Sequence, residues 1–238
     1  MAQTIFQRIE KKYMIPKEKQ DALLSACGGR LTPDKYGEYT ITNLYYDTAD
    51  YALIRASIEK PFYKEKLRLR SYGGAGSDTS VFLELKKKFD GVVYKRRAVL
   101  PYGQVRSVLT GGAAGGTQIL SEIGYFLEQH DVSEKAFIAY DRTAFSGAED
   151  PGLRVTFDTN IRFRQTDLRL DGGIWGTEIL PPGMRLLEIK VPGVMPLWLA
   201  HILSELRIFP SSYSKYGTCY KAHILPAQAK RREAAHSA

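Results

Sequence analysis

The chain has 238 residues, 44% of them hydrophobic and 25% charged, an ordinary globular composition that excludes disordered and fibrous classes. Lys and Arg number 34 against 26 Asp and Glu, a formal charge of +8, so the field of the molecule favours polyanionic partners, phosphates or nucleic acid. Cys27 and Cys219 stand far apart with no C-x-x-C spacing, which excludes a disulfide or zinc framework; no apolar run is long enough to span a membrane and residues 1–13 lack an apolar leader core, so a cytoplasmic protein is expected.

Apolar and charged residues alternate over 5–15, which predicts a strand, and Pro16 introduces a helix over 17–26. Period-two alternation then predicts strands over 41–47, 64–72, 81–88 and 92–100, followed by a flexible glycine loop, GGAAGG, at 111–116. A helix is expected over 119–129, where Ile119, Ile123, Phe126 and Leu127 share a face. Strands follow over 136–145, 153–164 and 186–191, then a helix over 197–208 whose Leu199, Ile202, Leu203 and Leu206 form a core stripe. Turn chemistry at Gly73–Ser77, Asp90–Gly91, Asp150–Gly152 and Asp171–Gly173 separates the strands, as in a hairpin-rich antiparallel topology. The chain reads as an α+β protein with one domain over 1–225 and a basic, flexible tail over 226–238.

Side chains two apart on a strand project together, so strand 64–72 carries Lys66, Arg68, Arg70 and Tyr72 on one face opposite Leu67 and Leu69. Strand 81–88 sets Phe82, Glu84, Lys86 and Lys88 against Leu83 and Leu85, and strand 186–191 sets Glu188 and Lys190 against Leu187, Ile189 and Val191. Arg8, Glu10 and Lys12, then Tyr140 and Arg142, then Arg154, Thr156 and Asp158, extend the pattern to other strands. Two geometries accommodate it. In an open, solvated sandwich these charges are energetically minor. In a closed barrel the apolar faces meet outer helices and the charged faces line a lumen, where crowded cations require an anion such as a polyphosphate to neutralise them. Arg grips phosphate oxygens in bidentate fashion and Lys adds a compact charge. The sparse carboxylates Glu10, Glu84, Asp158 and Glu188 either orient basic neighbours through ion pairs or hold Mg²⁺ or Mn²⁺. His130, His201, His223 and His236 fall outside these ribs and read as surface or packing residues, Asp158 as structural, and Asp47 as a turn residue. Tyr45, Tyr72 and Tyr140 have two roles open to them, packing and hydrogen bonds to phosphate.

With E-x-K-Y at Glu10, Lys12 and Tyr13, YYDT at 45–48, KLRLRSY at 66–72, LELKK at 83–87, YKRR at 94–97, YDR at 140–142, RVTFD at 154–158, LEIK at 187–190 and SYSKY at 212–216, the chain resembles the VTC domain. This is the polyphosphate polymerase domain of the triphosphate tunnel metalloenzyme, or CYTH-like, superfamily. The resemblance implies a closed antiparallel barrel of about eight strands with helices packed outside. It implies transfer of the terminal phosphoryl group of ATP or another triphosphate onto polyphosphate or orthophosphate with a divalent metal, Mn²⁺ or Mg²⁺. Carried onto this sequence, it assigns Arg68, Arg70, Arg142, Arg154 and Lys215 to catalysis, Lys12, Lys86, Lys95, Arg97, Lys190, Ser214, Tyr45 and Tyr140 to substrate binding, and Glu188, Glu10 and Glu84 to the metal. For strand 92–100 the family's K-x-R pattern selects Lys95 and Arg97, and not Arg96, as lumenal. Hydrolytic relatives open with E-x-E-x-K, whereas Arg8 stands at the first acidic position here, which favours phosphate-chain binding over hydrolysis. The rival functions are a tunnel triphosphatase and a non-enzymatic polyanion-binding protein that captures polyphosphate or RNA; nucleic acid is disfavoured, since its binding would ask for aromatic residues beside cations on an open face and would weaken steeply with salt.

Overall fold

The computed structural model describes residues 9–59, 61–90, 92–111 and 117–236, with side chains as far as Lys230. The expected loop residues 112–116, Gly91 and Arg8 lie outside the described residues. Among them the strands are β1 (Ile9–Pro16), β2 (Leu31–Thr48), β3 (Tyr63–Tyr72), β4 (Ser80–Phe89), β5 (Val92–Pro101), β6 (Val132–Gly147), β7 (Arg154–Arg164), β8 (Thr177–Glu178) and β9 (Met184–Val191). They form one antiparallel sheet in the order β1-β9-β7-β6-β2-β3-β4-β5, with the short β8 beside β7.

The helices are α1 (Lys17–Cys27), α2 (Ala52–Glu59), α3 (Val105–Leu109), α4 (Gln118–Gln129), α5 (Leu197–Glu205), α6 (Lys215–Cys219) and α7 (Leu225–His236), the last two joined by a π-helical turn at Tyr220–Ile224. The segment expected as a flexible tail is thus helical as far as His236. The apolar periodicity did place α1, α4 and α5. It missed α2 and α3, which are short, and the first half of β2, where Pro33, Asp34 and Gly37 interrupt the alternation and the pairing with β6 shifts register.

Two apolar clusters cover the outer face of the sheet. Leu23 and Cys27 of α1 with Leu199, Ile202 and Leu203 of α5 pack on Tyr13, Ile15, Val155, Phe157, Leu187 and Ile189. Val105 of α3 with Ile123 and Phe126 of α4 packs on Leu67, Leu69, Leu83, Leu85 and Phe137. Leu67, Leu83, Leu85 and Ile123 have no exposed surface, and burial of each such side chain contributes about 1.5–3 kcal/mol of transfer free energy.

Two features depart from the sequence expectation. The sheet is not a closed barrel: β1 and β5 end the strand order and do not pair with each other. The physical reason is charge, because Lys11 and Lys12 on one edge and Lys95, Arg96 and Arg97 on the other oppose zipping of the two edges. The sheet nevertheless curls far enough that Lys86 on β4 lies in the field of Glu10, Lys12 and Lys190 on the far edge. The helices also do not all pack outside. Tyr216, Cys219, Tyr220 and Ile224 pack against Ala136, Ile138, Phe163 and Leu186, which belong to the inner face, so the C-terminal helical segment stoppers one end of the bore. At that end the inner-facing residues are apolar, and the charged pattern begins further along the same strands.

Candidate functional site

The inner face is set by register. Across β2, β3, β4 and β5, Tyr45 lies opposite Arg68, Asn43 opposite Arg70, Arg68 opposite Glu84, Glu84 opposite Arg97, and Lys66, Lys86 and Lys95 follow one another. Across β6, β7, β9 and β1, Arg142 lies opposite Asp158, Thr156 opposite Glu188, Glu188 opposite Lys12, and Arg154, Lys190 and Glu10 form the next rung. The alternation seen in the sequence therefore becomes two facing groups of charge.

The first group centres on Glu84. Its carboxylate meets Arg68 Nε at 2.7 Å, Arg97 Nε at 2.7 Å, Lys95 Nζ at 2.6 Å and Arg70 Nε at 3.8 Å. Burial alone would raise the Glu84 pKa, but the charges of Arg68, Arg70 and Lys95 hold it far below the usual carboxylate range. Arg68 correspondingly stays charged despite its burial, which favours the neutral form, because Glu84 outweighs it. Arg70 is further fixed by Asn43 Oδ1 at 3.1 Å and the Tyr140 hydroxyl at 3.2 Å. Arg96, of opposite phase, pairs instead with Glu122 on the outer helix α4.

The second group joins Asp158 and Glu188. Arg142 donates two bonds to Asp158, at 2.6 and 2.8 Å, and its Nη2 lies 3.5 Å from Glu188. Lys215 reaches down from α6 to Asp158 at 2.5 Å and Glu188 at 3.1 Å. Lys12 and Lys190 approach Glu188 at 3.6 and 3.5 Å and share Glu10 at 3.2 and 3.9 Å. Burial opposes ionisation of Glu188, yet Lys215, Lys12, Lys190 and Arg142 depress its pKa well below normal. Glu10 is lowered in the same manner: burial raises it, and Lys12 and Lys190 more than offset that. Lys215, whose burial favours the neutral form, is kept protonated by Asp158 and Glu188.

Between the groups lie Lys66 and Lys86, which have no carboxylate at ion-pair distance among the described residues. Burial and the charges of Lys86, Lys64, Lys12 and Arg68 push Lys66 down to about 7. Lys86 is lowered too, by burial first, with Arg68, Lys12 and Lys190 adding repulsion against the attraction of Glu10. Thr156 Oγ1, beside Glu188, is buried with no hydrogen-bond partner among the described residues. An anion entering here would meet crowded cations and relieve their mutual repulsion.

Ser214 caps α6, its hydroxyl accepting from Gly217 N at 3.2 Å. Tyr45 stacks on Tyr216 at 4.8 Å with its hydroxyl 3.4 Å from Arg68. Tyr140 sits among Arg70, Arg142 and Lys215; burial opposes its ionisation, and these three charges bring its pKa below the usual phenol value. Arg154 is 40% exposed at the side chain and lies 3.5 Å from Asp34, and Glu10, Lys86 and Lys95 are also exposed. His130 approaches Glu65 and His223 stacks on Phe163, neither in the charged bore. The catalytic set inferred from the sequence left out Lys66, Asn43 and Thr156. Lys66 and Thr156 carried a usable signal, strand phase shared with Arg68 and Glu84 or with Arg154 and Asp158, whereas Asn43 carried none beyond its phase with Tyr45.

Glu10 and Glu188, on neighbouring strands and sharing Lys12 and Lys190, supply hard oxygen donors of the kind Mg²⁺ and Mn²⁺ take, with the orphaned Thr156 hydroxyl adjacent. Glu84 stands in the other group, ringed by Arg68, Arg70, Lys95 and Arg97, and Glu188 too has four cations around it, so an ion on either would share its carboxylate with those partners. Among the described residues no three His, Cys, Asp or Glu side chains converge as a complete protein ligand set, so phosphate oxygens would have to complete the coordination. No helix among them is long and apolar enough to cross a membrane.

Among curated proteins none matches the sequence. Among solved structures, the chain is similar to a putative adenylate cyclase from Bacillus halodurans, with 15% identity, a TM-score of 0.54, and 89% of this chain and 96% of that one covered. It is similar also to the putative adenylyl cyclase HpAC1 from Hippeastrum, described as having a dominant triphosphatase activity, with 18% identity, a TM-score of 0.52, and coverage of 91% and 96%. At these identities the likeness establishes the fold alone. The VTC domain model matches residues 7–224, nearly the whole described chain, and on that match the protein belongs to the VTC domain family of the triphosphate tunnel metalloenzyme superfamily.

Proposed function

We propose that this chain is a metal-dependent phosphotransferase that moves the terminal phosphoryl group of ATP or a similar triphosphate onto orthophosphate or a growing polyphosphate chain. The observation that carries the reading is the crowding of cations on the inner face, with Lys66 and Lys86 set between two ion-paired groups and making no ion pair of their own among the described residues. Phosphoryl transfer of this kind asks the protein mostly for positioning and for charge stabilisation. Arg68 and Arg70, held by Glu84, Asn43 and Tyr140, present guanidinium groups to the triphosphate from one wall. Arg142 and Lys215, held by Asp158, present charge from the other. Lys12, Lys86, Lys95, Arg97 and Lys190 bind the remaining phosphates, and Arg154, at the rim, follows incoming substrate. A divalent ion on Glu10 and Glu188 would polarise phosphoryl oxygens and neutralise developing charge. The acceptor is itself an anion, so no general base is required, in keeping with a bore without histidine among its described residues.

Incubation of the purified protein with ATP and Mn²⁺ is expected to yield polyphosphate ladders on a stained gel. Release of orthophosphate alone would replace polymerase by triphosphatase, the reading favoured by the activity described for HpAC1. Triphosphate binding without turnover would leave a polyanion-binding protein. Arg68→Ala with Arg70→Ala is expected to abolish triphosphate binding in calorimetry, and unchanged affinity would remove both residues from the site.

A further inference from the structure

The end of the bore away from α6 carries a chain of aromatic rings that the phosphate chemistry does not use. Tyr36 and Tyr39 meet edge to face at 6.3 Å, Tyr39 and Tyr72 at 5.8 Å, and Tyr72 and Phe82 edge to face at 5.6 Å. Tyr39, Tyr72 and Phe82 run across β2, β3 and β4 on the inner face, each adjoining a residue of the cationic site, and Tyr36 meets Tyr39 from the irregular stretch of β2. Tyr72 follows Arg70 by two positions, Phe82 lies opposite Arg70 in register, and Tyr39 lies opposite Arg142. The Arg97 guanidinium covers one face of Phe82 at 4.6 Å. Tyr39 feels the charges of both Arg142 and Arg154, although burial is the larger influence on it and raises its pKa. The rings are open to solvent: Tyr72 is 48% exposed and Tyr36 67%.

We propose that this collar stacks the base of the donor nucleotide, and with it selects nucleoside triphosphates, purines before pyrimidines, over inorganic triphosphate. The proposal rests on the reading of the bore as a triphosphate site. Two residues along a strand span about 7 Å, so phosphates held at Arg68 and Arg70 leave the sugar and base to emerge at Tyr72. Among the described residues the opposite rim, with Glu10, Lys190 and Arg154, is charged and carries no ring, so the wall of β2, β3 and β4 is the described surface on which a base can lie. Polyphosphate and orthophosphate carry no π face and gain nothing from the collar, whereas a purine gains by stacking and by excluding water from exposed rings. The collar therefore acts on the donor and is silent towards the acceptor.

The test is calorimetric binding of ATP, UTP and inorganic tripolyphosphate to the full chain and to Tyr72→Ala and Tyr36→Ala. The expected result for Tyr72→Ala is a loss of about tenfold in ATP affinity, a smaller loss for UTP, and tripolyphosphate affinity within about twofold of the unaltered protein, which also certifies its fold. Tyr36→Ala, at the outermost ring, is expected to give the same pattern more weakly. Equal loss for ATP and tripolyphosphate, or none for either, would overturn the collar and leave the phosphate reading standing. Absence of tripolyphosphate binding to the unaltered protein would overturn the phosphate reading and the collar together. An unphosphorylated oligonucleotide that binds as tightly as ATP would assign the rings to single-stranded nucleic acid and overturn the proposal as well.

Discussion

A carboxylate with 1% of its surface exposed is stable as an anion only where cations replace its water, and Glu84 has Arg68, Arg70, Lys95 and Arg97 within ion-pair distance. Its role is to hold those side chains in place and prevent their mutual repulsion in the empty bore. Glu84→Gln keeps the shape and removes the charge, and is expected to cost about 3–5 kcal/mol of stability, read as a lower urea midpoint. Added tripolyphosphate should restore part of the loss, because an anion that binds only the folded state stabilises it by mass action. An unchanged midpoint would mean that the four cations are adequately solvated without it. The residue scale was also the most legible in the sequence. Arg68 and Glu84 could each be put on the charged face of its strand from phase alone, because alternation along a strand fixes which side chains share a face, whereas Arg97 needed the K-x-R resemblance and the pairing of all three needed the register. The partnership of Lys215 with Asp158, 57 positions away, could not, because phase within one strand carries no information about a helix arriving from the far end of the chain.

At the scale of elements, Asp47 ties three of them together. Its carboxylate accepts backbone N–H bonds from Thr48 at the end of β2 and from Leu53 and Ile54 at the start of α2, at 2.9, 2.9 and 3.0 Å. It also accepts the hydroxyl of Tyr216 on α6 at 3.0 Å, so the same side chain that caps α2 anchors the stopper of the bore. Burial raises its pKa, although every one of these bonds works in the opposite direction. Asp47→Ala leaves two helix-start donors, the Thr48 N–H and a buried phenol without a partner and is expected to cost about 1–3 kcal/mol in urea denaturation, whereas Tyr216→Phe, which removes a single bond, should cost about 1 kcal/mol. Equal costs would place the whole contribution in α6. The sequence reading took Asp47 for a turn residue and found no helix at 52–59. A helix of 8 residues capped from the preceding strand shows too little periodicity to register, and packing of Ile54 beneath α6 completes what propensity alone does not. In α6 the segment KYGTC contains Gly217 and Thr218, poor helix formers, and is helical because Ser214 caps it and Tyr216 and Cys219 are buried.

At the scale of the molecule, the positive charge is concentrated on a concave face, and repulsion there appears as depressed lysine pKa values. Burial followed by neighbouring cations brings Lys66 to about 7, and burial, against the attraction of Glu84, brings Lys95 to about 8. Above these values the empty bore sheds protons that a bound triphosphate favours. Tripolyphosphate affinity is therefore expected to fall as pH rises from 7 to 9.5, with protons taken up on binding, a quantity read by calorimetry in buffers of different ionisation enthalpy. Lys66→Met should reduce the uptake near pH 8; an unaltered uptake would place the titration elsewhere. For the stability of the free protein the pH dependence runs the other way. A lysine depressed on folding makes the unfolded chain the better proton binder, so the Lys66 contribution to stability grows as pH rises from about 7 towards the ordinary lysine value.

The sequence by itself determined the antiparallel strands, the side of each that carries charge, and the helices whose apolar stripes face the outer surface of the sheet, because these depend on periods of two and 3.6 residues within one segment. Motif order along the chain was enough to bring the VTC resemblance to light. Only the tertiary structure decided that the sheet curls without zipping its cationic edges and that α6 enters the bore and seats Lys215 beside Asp158 and Glu188. It also decided that Tyr39, Tyr72 and Phe82 meet at the other end. Each of these is a relation between segments far apart in the chain, fixed by long-range charge and burial and leaving no trace in any local pattern.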